Sequence, residues 1–183
     1  MAFQITALDH CRFTKLFELS DSDLAASMAV RQTATTKPGF PCRVSLEDAE
    51  VGEEVILVNY EHQPAASPYR AAHAIFVRKG VKQAQPAVGE VPALFNNRAL
   101  SLRVFNDQAM IVAAELIDGK DLGSALDRRL ADPTAAYVHI HYAQFGCYAA
   151  RADRAYRQSS ALEEGCARGR TIGPAALGRP LVL

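Results

Sequence analysis

Ala99-Leu100-Ser101-Leu102-Arg103-Val104-Phe105, then Asn106-Asp107-Gln108, then Met110 to Leu116, reads as two strands around a short polar turn. A connection this short makes the pair antiparallel, because a parallel return needs a crossover of about a dozen residues or more. Outward from this hairpin, Val55 to Tyr60 is a continuous apolar run and Ala74 to Val77 a shorter one. Arg43 to Leu46, Tyr137 to Tyr142 and Cys147 to Ala150 are further expected strands, with a weaker one near Arg12 to Leu16. Most connections are too short for a helical crossover, so the sheet is expected to be largely antiparallel.

Two helices accompany it. Ser20-Asp21-Ser22-Asp23 has a capping hydroxyl and an acidic residue three positions on, and Leu19 and Leu24 are spaced as a hydrophobic staple, which predicts a helix reaching about Arg31. Leu122, Ala125, Leu126 and Leu130 form one apolar stripe in a segment from Asp121 to Ala131 that Pro133 stops. The fold class is α+β in a single domain.

The chain has 183 residues, 49% hydrophobic and 22% charged, enough to bury one core. Its formal net charge is zero, which argues against nucleic-acid and membrane-surface partners. Asp9, His10, Arg12, Lys15 and Glu18 interrupt the first nineteen residues where a signal peptide needs an apolar stretch, so a cytoplasmic location is expected. The four cysteines show no CxxC spacing, which favours reduced thiols. From Arg157 onward periodicity is lost among closely spaced glycines and prolines, and the segment 151–183 is basic, with 6 Lys+Arg against 3 Asp+Glu. The compact domain is therefore expected over 1–156, with 157–183 an extended or disordered tail.

Chemistry-bearing residues gather at segment ends. Pro38-Gly39-Phe40-Pro41 delivers Cys42 and Arg43, Glu61-His62 ends the next strand, and Ser67-Pro68-Tyr69-Arg70 leads to His73. In an up-and-down meander Cys42, Arg43, His62, Tyr69, Arg70 and His73 share one rim. Arg43 and Arg70, with Tyr69 and His73, suit a small anionic ligand, since guanidinium grips carboxylate or phosphate bidentately. Cys42 with His62 or His73 is the candidate for a thiolate nucleophile and its base. The plainer alternatives are a core cysteine and arginines paired with nearby carboxylates. Alternation in Val138-His139-Ile140-His141-Tyr142 puts His139 and His141 on one face, and a tight return brings Cys147 near. Those three are metal-ligand candidates, but H-x-H is short and no acidic partner is close in sequence, so no metal and no cofactor is expected.

Pro41-Cys42-Arg43, Val58 to Pro64, Ser67-Pro68-Tyr69-Arg70 with His73 to Arg78, and Gly146 to Arg151 resemble the uncharacterised bacterial family catalogued as domain of unknown function 1203. The resemblance spans about Phe3 to Arg154 and implies no activity, cofactor or catalytic residue. Three function classes therefore stand: a small-anion-binding domain, a metal- or thiol-assisted hydrolase, and a non-enzymatic homodimer pairing an edge strand.

Overall fold

The computed structural model describes residues 2–155, so the expected tail at 157–183 lies outside the described residues. The expected hairpin forms: β5 (Ala99–Phe105) pairs antiparallel with β6 (Ile111–Asp118). Around it grows a five-stranded sheet that includes β1 (Phe3–Thr6), β7 (Tyr137–Tyr142) and β8 (Tyr148–Arg154), in the order β1-β8-β7-β5-β6. A second sheet takes β2 (Ala29–Thr33), β3 (Glu54–Gln63) and β4 (Ala71–Arg78), in the order β2-β3-β4. All strand pairs in both sheets are antiparallel, and the fold is α+β.

Helix α1 (Asp21–Ala26) starts where its cap predicts, with the Ser20 hydroxyl accepting the Asp23 amide. It stops at Ala26 rather than Arg31. Met28 turns the chain at φ 52°, and the following residues pair with β3 from Ala29 opposite Val58 to Thr33 opposite Glu54. The cross-strand ladder outweighs the weak preference of a six-residue helix. Helix α2 (Leu122–Ala131) keeps its expected bounds within one residue. It buries Leu122, Ala125, Leu126 and Leu130 against Leu100, Leu102, Val104, Val138 and Ile140. Each of the three leucines is worth about 1.5–3 kcal/mol of burial.

Two expected strands are absent. Thr14–Glu18 is a 3-10 turn, following another at His10–Arg12. Arg43–Leu46 makes no strand: Cys42 bridges Phe76, Pro41 bridges Asp48, and Leu46 turns back at φ 51°. Val44 and Leu46 are buried all the same, because the apolar pattern records burial and not an extended ladder. A second, smaller core lies on the other side of the five-stranded sheet. There Ile56, Val58, Ile75 and Val77 pack with Leu24, Cys42 and Tyr148, which brings β3 over the sheet face opposite α2. No described helix is long and apolar enough to cross a membrane.

Candidate metal centre

Strand alternation turns Val138 and Ile140 toward α2 and leaves His139 and His141 on the other face, under the second sheet. Both are buried, with 2% and 0% exposure. The third member comes from β3. Pairing there slips between Glu61 and Gln63, making His62 the bulged residue, and a bulge re-aims the side chain it carries. The His62 ring lies 5.6 Å from that of His139 and 5.0 Å from that of His141, centroid to centroid. One ring nitrogen from each histidine falls within 4.8 Å of the other two. Around a tetrahedral ion with bonds of ~2.0–2.1 Å the nitrogens stand roughly 3.3 Å apart, so small ring shifts complete the set.

The nitrogen inventory is the informative part. His62 Nδ1, His139 Nδ1 and His141 Nε2 are all buried without a hydrogen-bond partner. A buried polar atom left unpaired costs about 1–3 kcal/mol, so three in neighbouring rings need an explanation. His141 Nδ1 stands 2.9 Å from the Gly146 carbonyl oxygen. That oxygen only accepts, so Nδ1 carries the hydrogen and Nε2 presents its lone pair. Backbone orientation of a histidine through its second nitrogen is the usual support of a metal ligand.

Burial keeps all three rings neutral. It lowers His62 to about 4, with Arg103 adding to the effect, and His139 to about 2, with the other two histidines adding. His141 falls to about 3, again through burial and despite its bond to Gly146. Aromatic rings wall the cluster: Tyr148 stacks on His62 at 5.1 Å with planes 8° apart, and Phe105 lies 4.9 Å from His139. Three neutral nitrogen donors suit Zn²⁺ and its late first-row neighbours rather than Mg²⁺ or Ca²⁺.

The other sequence candidates are dispersed. Cys42 is fully buried, and its sulfur accepts the amides of Val44, Ser45 and Arg78. Arg43 is 2% exposed and spends Nε on the Tyr148 carbonyl and Nη1 on the Pro41 carbonyl, with its guanidinium 5.0 Å over the Tyr142 ring. Both join β4 at Phe76, whereas His73 lies opposite Tyr60, three residues or about 10 Å along the strand. Arg70 is exposed and paired with Glu61 at 2.6 Å. Tyr69 meets Phe105 edge-on. Cys147 is a free thiol beside Arg43 and outside the histidine set. A surface cleft lined by Lys37, Asp48 and Arg98 lies apart from the histidines, and there Asp48 pairs with Arg98 and Lys37 with Glu50.

Sequence reasoning missed His62 as a partner of His139 and His141, and missed Arg103 altogether. For Arg103 a signal existed, since it is the one charged side chain inside the apolar strand Ala99–Phe105. It stands directly opposite His139 in the β5–β7 pairing.

A search of the curated proteins found no match, nor did one of the solved structures. Residues 39–154 match the family described as protein of unknown function DUF1203, a stretch that holds all three histidines and Arg103. The chain therefore belongs to the DUF1203 family.

Proposed function

We propose that the protein binds one transition-metal ion through His62, His139 and His141 and acts as a metal-assisted hydrolase. The observation that carries this reading is the convergence of three histidines from two different sheets, each with a buried ring nitrogen that has no hydrogen-bond partner. His62, His139 and His141 would leave a bound ion one open position, where it would supply an acidified water near neutral pH. The chain's own part is to hold the rings neutral, orient His141 through Gly146, and exclude bulk water with Tyr148 and Phe105. The reading departs from the expectation of no cofactor, which rested on the shortness of H-x-H and on the lack of an acidic partner close in sequence. A thiol mechanism has less support, because Cys42 has no exposed surface.

The test is elemental analysis of protein purified without chelator and then dialysed against Zn²⁺, Co²⁺ or Ni²⁺. Close to one ion per chain is expected, lost in His62→Ala and in His139→Ala. Turnover of an activated ester should stop with chelator and return with metal. A wild-type protein that takes up none of the three ions would overturn the reading.

A further inference from the structure

The charge balance around the histidines is incomplete. Arg103 is half-buried on β5, and among the described residues it makes no ion pair or hydrogen bond. Directly paired residues of neighbouring strands share a face with Cβ atoms about 5 Å apart, which sets Arg103 beside His139 on the histidine side of the sheet. Its charge acts on all three imidazoles. The other nearby arginine is already neutralised: Arg151 pairs with Asp153 at 2.7 Å and lies over the Tyr137 ring at 3.9 Å. Glu61, next to His62, is held by Arg70.

A divalent ion on three neutral ligands would thus share its surroundings with a second positive charge that has no carboxylate partner among the described residues. With no protein acceptor among the described residues, the five donors of this half-buried guanidinium are left for an acceptor from solution. We infer that Arg103 is the substrate-binding residue of this site, its fork gripping an oxyanion, a carboxylate or phosphate group, that also reaches the open position of the metal. The inference rests on the three-histidine metal reading and adds the substrate class to it. It also moves the anion-binding role from Arg43 and Arg70, which are committed to backbone carbonyls and to Glu61, onto a residue with free donors. The fork geometry matters, because an ammonium offers one charge without two parallel donors.

The experiment uses full-length protein loaded with Co²⁺, whose visible spectrum reports on its ligands, titrated separately with phosphate and with acetate. At least one anion should perturb the spectrum saturably, and the tighter of the two identifies the group as tetrahedral or planar. Arg103→Gln should keep the cobalt stoichiometry and raise the apparent Kd at least tenfold, with Arg103→Lys in between. Should Arg103→Gln prove insoluble, Arg103→Lys decides, with at least a threefold rise expected. Full cobalt uptake with no anion response, or with equal responses in wild type and variants, would sink the Arg103 assignment and leave the metal site standing. Absence of cobalt uptake by the wild type would remove both.

Discussion

Gln63 Nε2 donates a hydrogen bond to Tyr137 Oη across 2.7 Å, joining the end of β3 to the start of β7. The two residues are neighbours of His62 and His139 respectively, one position away along β3 and two along β7. Gln63 is only 3% exposed, so the bond operates out of water and holds the two sheets in register at the histidines. Gln63→Leu should keep the volume but release His62, lowering metal affinity about tenfold. Competition with a chromophoric chelator measures this, and unchanged affinity would show that the bulge alone positions His62. Tyr137→Phe should cost about 1–3 kcal/mol in urea unfolding, because the Gln63 amide is then buried with a donor unpaired.

Stability of the metal-free protein should depend on pH. His139 and His141 titrate below the ordinary histidine value of 6.5 in the folded protein, so from pH 6.5 downward the unfolded chain binds more protons. Stability is therefore greatest above pH 6.5 and falls as the solution is acidified from there toward about pH 3, by roughly 1.4 kcal/mol per pH unit for each such group. Urea midpoints at pH 7.5, 6 and 5 check the slope. A flat profile would mean that the rings take up protons in place.

Arg43 is predicted to be a stability residue. Its guanidinium ties the loop after Pro41 to the Tyr148 carbonyl, and Tyr148 in turn stacks on His62. Arg43→Lys keeps the charge but cannot reproduce both carbonyl bonds and the packing on Tyr142, and should cost about 2–4 kcal/mol. Arg70→Ala, which removes an exposed pair with Glu61, should cost under about 1 kcal/mol. Equal effects of the two changes would contradict the burial difference.

Gly119 admits no side chain. A Cβ there would stand 1.7 Å from the Phe95 carbonyl oxygen and 2.6 Å from its carbon, both backbone atoms that cannot rotate away. Gly119→Ala should destabilise by ~3 kcal/mol or more, or abolish soluble expression, whereas Gly123→Ala, in ordinary contact with Val91 and Phe3, should be tolerated.

In native protein iodoacetamide should label Cys147 well before Cys42. Cys147 is partly exposed, while Cys42 is fully buried with its sulfur engaged by three backbone amides. Mass spectrometry of peptides after timed labelling gives the order, and faster labelling of Cys42 would revive the nucleophile reading.

Local physics was legible in the sequence. The apolar runs and the short polar turn that begins at Asn106 set the hairpin, the stripe on α2 set its buried face, and a period of two put His139 and His141 on one side of β7. These depend on neighbours within a few residues, so composition and spacing carry them. What tertiary structure decided was which side chains meet. His62 is about eighty residues from His139, and it reaches the cluster only because the second sheet packs over Tyr148 and a bulge turns its ring inward. Arg103 comes beside His139 through a strand order, β7 next to β5, that no local pattern encodes. Arg43 reads in sequence as a polar residue at a strand start, and in space it is a buried tie between carbonyls. Burial and long-range pairing are properties of the assembled core, and those two determine whether an arginine or a histidine is a strut or a ligand.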